Sequence, residues 1–478
     1  MNLICIELNE FERLKKQNTA FPVACELNGD EITPINIFYG LQGKNKIIME
    51  SVEFDKDKGR YSFIASDPYM KIKGFKGNVY VEKEDSGFME KGRIMDFVEK
   101  YMEINYNSDV LDIPFTGGAI GYAGYDVIKQ YENISDNNID DLKIPEACFM
   151  FYKTFICYDH LKHRIILVYN VFPEDDTEYS EITRYLKEMY IQITSGTHIH
   201  NIHNNYNKVK INSNYTKDEF CRNVEKAKEY IKKGDIFQVV VSQRLKCRTD
   251  FEAFDIYRKL RYENPSPYLF YMDFDDFQII GSSPERLVSV QDGVVSTNPI
   301  AGTRKRGANK EEDEKLKDEL INDEKERAEH VMLVDLGRND IGKVSKFGTV
   351  QVTKFMKVEE YSHVMHIVSE VEGQLKNNIS SFDAFTTCIP AGTVSGAPKI
   401  RAMEIIDEIE NRKRLLYAGA VGYFSYNKNM DTCIAIRTLV LKDKCAYIQA
   451  GAGIVYDSNP EEEYNESINK ARALMEVI

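Results

Sequence analysis

The stretch from Asp431 to Tyr456 constrains the fold of this chain more than any other. Two apolar runs, TCIAIRTLVL (432–441) and CAYIQAGAGIVY (445–456), flank the polar triplet Lys442-Asp443-Lys444. That pattern predicts a β-hairpin, and a hairpin forces its strands antiparallel. Similar strand signals recur at 237–245 (FQVVVSQRL), 278–290 (QIIGSSPERLVSV) and 293–303 (GVVSTNPIAGT). Before residue 190 they alternate with Gly/Asp/Asn turns, as in KIIMESVE, RYSFIAS and FTGGAIGYAGYD. Helical patterns interrupt these runs at 217–235, from about Lys310 to about Leu336, at 400–409 and after Pro460. Strands and helices mix without a regular βαβ rhythm. The expectation is an α+β fold with largely antiparallel sheets. No internal repeat is evident.

Composition narrows the class. The chain has 478 residues, 43% hydrophobic and 29% charged, with a net charge of −14. An acidic surface of this size argues against nucleic acid or an anionic membrane as the main partner. The first residues, MNLICIELNEFERLKK, lack the basic-then-apolar order of a signal peptide, and no apolar run is long enough to cross a bilayer. Nine scattered cysteines without a CxxC pair suggest reduced thiols in a cytoplasm. The Asn-rich tract from Ser195 to Asn214 reads as a linker between an N-terminal region (1–194) and a C-terminal region (215–478). Its His198, His200 and His203 have no matching ligand cluster nearby, so the tract is read as a linker and not as a metal site.

Two Glu-x-x-Glu pairs stand out, Glu326/Glu329 and Glu463/Glu466. Each lies in a helical pattern, so each puts two carboxylates on one helix face, and Lys470 follows one turn beyond the second pair. The bland reading is solvated surface charge. The alternative is convergence on a hard divalent cation, which would relieve the repulsion of gathered carboxylates. The start of the last helix is well marked: Asp457, Ser458 and Asn459 offer capping oxygens and Pro460 suits the first helical position. The segment Ile389-Pro-Ala-Gly-Thr-Val-Ser-Gly-Ala-Pro-Lys399 places Thr393, Ser395 and Lys399 around a turn before a helix, an arrangement that suits an anion. Its spacing is not that of a phosphate loop. The glycines of 449–454 (QAGAGI) lie inside a predicted strand, where they mark close approach of a ligand or of another backbone. No helix opens directly after them, so a dinucleotide fingerprint is a poor fit. Arg437, read on the same strand face as Cys433 and Ala435, has room to take a carboxylate, or its stem packs on the sheet rim. His363 and His366 are spaced i,i+3, and His330 follows Glu329; core histidines are the usual reading of both.

Taken together, the words name a family. Gly281-Ser-Ser-Pro-Glu-Arg286, Pro299-Ile-Ala-Gly-Thr303, Glu326-Arg-Ala-Glu-His330, Val334-Asp-Leu-Gly-Arg-Asn-Asp340, Pro390-Ala-Gly-Thr-Val-Ser-Gly-Ala-Pro-Lys399, Asp431-Thr-Cys-Ile-Ala-Ile-Arg437 and Gln449-Ala-Gly-Ala-Gly453 occur in this order. Residues 215–478 closely resemble the chorismate-utilising enzymes, and within them the anthranilate-forming branch. Met49-Glu-Ser-Val-Glu53 and Gly59-Arg-Tyr-Ser62 extend the likeness, more loosely, into the N-terminal region. The resemblance implies two large packed antiparallel sheets, and leaves open whether the two regions interleave as one body.

The resemblance also implies a chemistry. Mg²⁺ would be held by Glu326, Glu329, Glu463 and Glu466, some through water, with Glu329 and Glu466 the surest ligands. Glu285 would protonate a departing hydroxyl, which requires a raised pKa. His366 would handle a proton in pyruvate elimination, and Thr393 belongs to the same catalytic group. Gly302, Thr303, Tyr417, Arg437, Gly451, Ala452, Gly453 and Lys470 would bind chorismate. Isochorismate and salicylate synthases carry a water-activating Lys where this chain has Gln238, a neutral amide that takes no proton at pH 7. Aminodeoxychorismate synthases often carry a nucleophilic Lys where this chain has Ala301. The two positions favour ammonia as nucleophile and anthranilate as product. No Gly-x-Cys-x-Gly glutaminase turn is present, so a separate glutamine amidotransferase subunit (component II) is implied. Ser51, Pro267, Tyr268 and Leu269 would form an L-tryptophan site, with Met49 standing where Leu is common. The absence of tryptophan from the chain fits a role in making it. The rivals are aminodeoxychorismate synthase and a non-catalytic tryptophan-binding regulator.

Overall fold

The expected hairpin turn is present. Strand Thr438–Lys442 pairs with Cys445–Ile454, Lys442 opposite Cys445. The two linking residues, Asp443 and Lys444, adopt left-handed φ of 51° and 55°, the twist that a two-residue hairpin needs. The first arm is shorter than the sequence suggests. The apolar run 432–441 is split into Met430–Ile434 and Thr438–Lys442, and these strands belong to different sheets. Arg437 therefore lies in a crossover, with φ of 49°, and not on a strand face shared with Cys433 and Ala435. The alternating pattern runs through the break because both strands are buried, which hides the change of sheet.

The computed structural model describes residues 6–51, 59–84, 86–195, 210–361 and 364–478. Most of the polar tract, with His198, His200 and His203, lies outside the described residues, as does His363. The described chain forms two twelve-stranded sheets. Each takes strands from both sides of that tract. Ile47–Glu50 pairs antiparallel with Tyr268–Asp273 in one sheet, and Gly118–Ala123 with Ala420–Ser425 in the other. The α+β class with two large antiparallel sheets is as expected. Aromatic side chains fill the space between the sheets: Phe63, Phe115, Phe155 and Tyr423 meet with ring centroids 5.0–6.4 Å apart. Helices Tyr179–Thr194 and Ala253–Glu263 bury apolar stripes in a second cluster. Helices Lys217–Lys232, Ser381–Cys388 and Lys399–Ile409 do so in a third.

Two helical boundaries matter for the site. The expected helix from Lys310 to Leu336 is two helices, Lys310–Asn322 and Glu324–Val344. Asp323 separates them, and its carboxylate accepts from the N–H groups of Lys325 and Glu326. An acid inside a charge-rich helical pattern reads as a surface residue, so the cap is not visible by periodicity. The last helix, Pro460–Met475, begins as expected, with the Asn459 side chain accepting from Glu461 and Glu462 N–H. Seven described cysteines are free thiols. Cys25 is disulfide-bonded, which corrects at that position the expectation of reduced thiols throughout. Among the described residues no helix is long and apolar enough to cross a membrane.

Candidate active site

The site forms where the chain changes sheets twice, side by side. Strand Gln278–Ser283 lies in one sheet and Arg286–Gln291 in the other, with Pro284 and Glu285 between them. The crossover through Arg437 runs alongside. Ile434 N–H donates to Glu285 O at 2.9 Å, and Ser282 N–H to Arg437 O at 3.0 Å. Ser283 Oγ donates to Ile434 O at 2.7 Å. Glu285 and Arg437 are thus held by backbone bonds between neighbouring crossovers, a rigid mount for two charged groups.

Burial pushes the Glu285 carboxyl up to about 8; Thr393 and Lys470 pull the other way without offsetting it. The raised value is as expected. Thr393 Oγ is buried and completes no hydrogen bond. Both residues line a narrow cavity of about 40 Å³ with Gly392, Leu336 and Asp340. Arg437 is half-buried. Desolvation depresses its guanidinium, and no carboxylate among the described residues raises it back. Such a group is set to receive an anion from outside the chain.

His366 stands opposite Thr303 in the pairing of Val364–Gln374 with Ile300–Lys305, where the register shifts between Ala301 and Thr303. Gly302 occupies that irregularity with φ of 66°. A Cβ there would lie 3.2 Å from Glu326 Oε2 and 3.0 Å from Leu320. The irregularity brings the Gly302 carbonyl within 2.9 Å of His366 Nδ1; Thr303 Oγ lies at 3.1 Å from the same nitrogen. The carbonyl can only accept, so Nδ1 carries the proton and Nε2 is left as a base. Burial lowers the His366 pKa, the Gly302 carbonyl opposes this, and Arg437 is near enough to lower it further.

The glutamate pairs are turned onto partners within the chain. Arg304 bridges Glu326 at 3.1 Å and Asp323 at 2.9 Å. Gln238 Nε2 donates to Glu329 Oε1 at 3.1 Å, while Gln238 Oε1 is buried without a partner. Lys470 bridges Glu466 at 2.7 Å and donates to Gly451 O at 3.2 Å. Burial raises Glu326 and Glu463, and each is raised further by its pair-mate. Glu463 also feels Lys325, which precedes Glu326 on the other helix, so the first turns of the two helices lie near each other. Among the described residues no three carboxylate, imidazole or thiol groups gather closely enough to hold a metal. The donor set is nonetheless all hard oxygen under like-charge strain, which fits Mg²⁺.

The remaining expected residues are placed as follows. Gly451, Ala452 and Gly453 lie opposite Ser242, Val241 and Val240, and a Cβ on Gly453 would meet Gln238 Nε2 at 2.7 Å. Tyr417 packs under Arg414, whose guanidinium lies 5.5 Å from its ring; burial pushes its hydroxyl up to about 12. Lys399 and Ser395 do not serve an anion. Lys399 Nζ is spent on Asp340 at 2.7 Å and Cys388 O at 3.3 Å, and Ser395 Oγ on Ala391 O at 2.7 Å. The motif looks anion-binding because lysine and hydroxyls flank a turn, but those groups close the loop on itself.

A second cavity, of about 980 Å³, is lined by Ser51, Pro267 and Tyr268 along with Met49, Glu50 and Asp431. Tyr268 OH donates to Asp431 at 3.0 Å and accepts from Arg286 Nε at 2.8 Å. The Leu269 side chain is 1% exposed and points into the core, since successive strand residues face opposite ways. Arg286 lines both cavities. Sequence reasoning singled out neither it nor Arg304, although each adjoins a residue that it did name.

A family model described as chorismate binding enzyme matches residues 49–476. Anthranilate synthase component 1 of Acetivibrio thermocellus is 47% identical over 482 residues, covering 98% of each chain. The chain belongs to the chorismate binding enzyme family. It is a chorismate-utilising enzyme. The crystal structure of anthranilate synthase component I from Streptococcus pneumoniae TIGR4 is 40% identical and covers 94% of this chain and 98% of that one, with a TM-score of 0.80. The menaquinone-specific isochorismate synthase of Escherichia coli, 18% identical with a TM-score of 0.73, shares the fold of this chorismate binding enzyme.

Proposed function

We propose that this enzyme converts chorismate and ammonia into anthranilate, pyruvate and water, the reaction named for its anthranilate synthase component 1 relatives. The observation that carries the reading is the Glu285 carboxyl, held up to about 8 by burial, in the crossover next to that of Arg437, a half-buried guanidinium with no acid partner among the described residues. Glu326, Glu329, Glu463 and Glu466 would hold Mg²⁺, which when bound neutralises the ring carboxylate of the substrate. Arg437 takes a substrate carboxylate, with Tyr417, Gly302, Thr303, the strand 451–453 and Lys470 around it. Ammonia forms a bond to C2 as the C4 hydroxyl leaves. Glu285 supplies the proton that makes it water, a step open to it below about pH 8. In the second step the C2 hydrogen leaves as a proton and the C3–O bond breaks. The ring becomes aromatic, and the released enol takes up a proton at its methylene carbon to become pyruvate. His366, its pKa lowered by burial and its Nδ1 proton given to the Gly302 carbonyl, would handle protons in this elimination through Nε2.

The "component 1" of the relatives' names supports a partner that feeds ammonia, a glutamine amidotransferase subunit, and a cytoplasmic location suits such a pair. The region before residue 195 would serve regulation, joining Ser51 to Pro267 and Tyr268 around the large cavity, where L-tryptophan would inhibit. Anthranilate fluorescence from chorismate, MgCl₂ and ammonium, with glutamine inactive unless the partner is added, tests the reading. An aminated ring that keeps its side chain would identify an aminodeoxychorismate synthase. Equal behaviour of wild type and Glu329→Ala would leave only a regulator.

A further inference from the structure

The loop 389–398 carries Thr393 to the narrow cavity. On one side it is pinned to strand Gln238–Arg248: Val240 N–H donates to Ser395 O at 2.9 Å and Phe237 N–H to Ala397 O at 2.7 Å. Arg414 Nη1 donates to Val394 O at 2.8 Å. On the other side it leans on helix Glu324–Val344, the helix of Glu326 and Glu329. The contact there is tight, since a Cβ on Gly392 would fall 1.9 Å from Leu336 Cδ2. Apolar contact sets distance but not register. The polar tie on this side is Lys399, whose Nζ joins Asp340 of that helix at 2.7 Å and the Cys388 carbonyl at 3.3 Å. Both side chains are nearly buried, at 13% and 10% exposure, where an ion pair is directional and little screened. Asp340 itself walls the cavity that holds Glu285 and Thr393.

The geometry points to the Lys399–Asp340 pair as a positioning device that locks the Thr393 loop onto the helix of Glu326 and Glu329 and so keeps Glu285 buried, at 7% exposure. The inference rests on the proposed role of Glu285 and concerns what keeps that residue an acid. The groups acting on its carboxyl are Thr393 from the loop and Lys470 from the last helix, neither altered in the test; Arg286, Cys388 and Asp340 also line the cavity, and removing Asp340 together with Lys399 leaves the net charge there unchanged. With the tie cut, the loop slackens, water enters, and the carboxyl ionises at lower pH.

Lys399→Met, Asp340→Asn and the charge-free pair Lys399→Met/Asp340→Leu would be compared with wild type. The double variant strands no buried charge, so it is the one expected to stay folded, as judged by its melting transition. Infrared titration of the protonated carboxyl band, assigned with Glu285→Gln, reads ionisation without any reaction. The expected result is a downward move of that titration by about one unit or more in the double variant. kcat should fall roughly 10- to 100-fold, with the chorismate KM within about threefold. A folded double variant whose Glu285 titrates at the wild-type pH, or whose kcat is unchanged, overturns the inference. A wild type that forms no anthranilate overturns the proposed reaction instead, and the infrared result still decides this point.

Discussion

The two cavities share Arg286 but make opposite use of their surroundings. The larger, about 980 Å³, is open and lined by Asp109, Asp112, Asp292, Asp431 and Arg60. The smaller, about 40 Å³, is lined by Leu333, Leu336, Pro299 and Ile434 beside Glu285 and Asp340. A wide polar cavity can receive a zwitterion while its water stays. In the narrow one, lined by Glu285 and Asp340, burial holds the Glu285 carboxyl up to about 8. On the proposed reading the large cavity would serve recognition and the small one proton transfer, and the variants below are chosen to act on one cavity at a time.

The largest effect belongs to the acid. Glu285→Gln keeps the shape of the small cavity but cannot donate a proton to a leaving hydroxyl. Ammonia-dependent kcat should drop roughly a thousandfold, within the range of general acid catalysis. Tryptophan binding should be unchanged. The chain has no tryptophan of its own, so emission from bound ligand excited at long wavelength can be read directly. A loss of binding in this variant would show that the cavities are not separable.

Next comes Arg437→Met, which removes a half-buried cation with no acid partner among the described residues. Its stability should hold or rise, because an uncompensated charge has gone. kcat/KM for chorismate should fall about a hundredfold, the value of a charge-assisted carboxylate contact. Calorimetry beside kinetics separates the two effects; a marked fall in melting temperature would mean that the guanidinium holds the crossover instead of the substrate.

Acidity gives a smaller, graded effect. Above about pH 8 turnover should decline by about tenfold per unit as Glu285 ionises. The same shift acts on folding. The unfolded carboxyl loses its proton near its ordinary value of 4.5 while the folded one keeps it to about 8. The folded state thus binds more protons across that window, and stability falls as pH rises through it. Glu285→Gln should remove this loss, so its melting temperature should gain on wild type between pH 5 and pH 8.5. An unchanged difference would place the titration elsewhere.

Which parts of this were legible in the sequence follows a physical line. The turn Lys442-Asp443-Lys444 and the cap at Asn459 were readable because local chemistry alone specifies them. The glutamate pairs and Arg437 stand out by spacing and neighbours, and Glu285 through family words, but their setting does not. Arg437 sits at a change of sheet that buried alternation conceals, and Asp323 divides a helix whose charge pattern runs on. Lys399 was misread since a lysine beside a turn looks the same whether it meets an anion or Asp340. Leu269 could have been placed correctly, because its neighbour Tyr268 faces the cavity and strand residues alternate.

The finest test leaves turnover alone. Ser51 lines the large cavity and not the small one. Ser51→Phe fills part of the large cavity with an aromatic ring at the end of strand Ile47–Glu50, where nothing of the catalytic group is displaced. Anthranilate formation should stay within about twofold of wild type, as for a substitution away from core and site. Inhibition by L-tryptophan should disappear, and with it the ligand's emission change on titration. The decisive comparison is between binding and inhibition in one variant. If tryptophan still binds but no longer inhibits, Ser51 belongs to the connection between the cavities, and Arg286, which donates to Tyr268 on one side and follows Glu285 on the other, becomes the residue to substitute next. If inhibition persists at wild-type strength, the large cavity is not the tryptophan site.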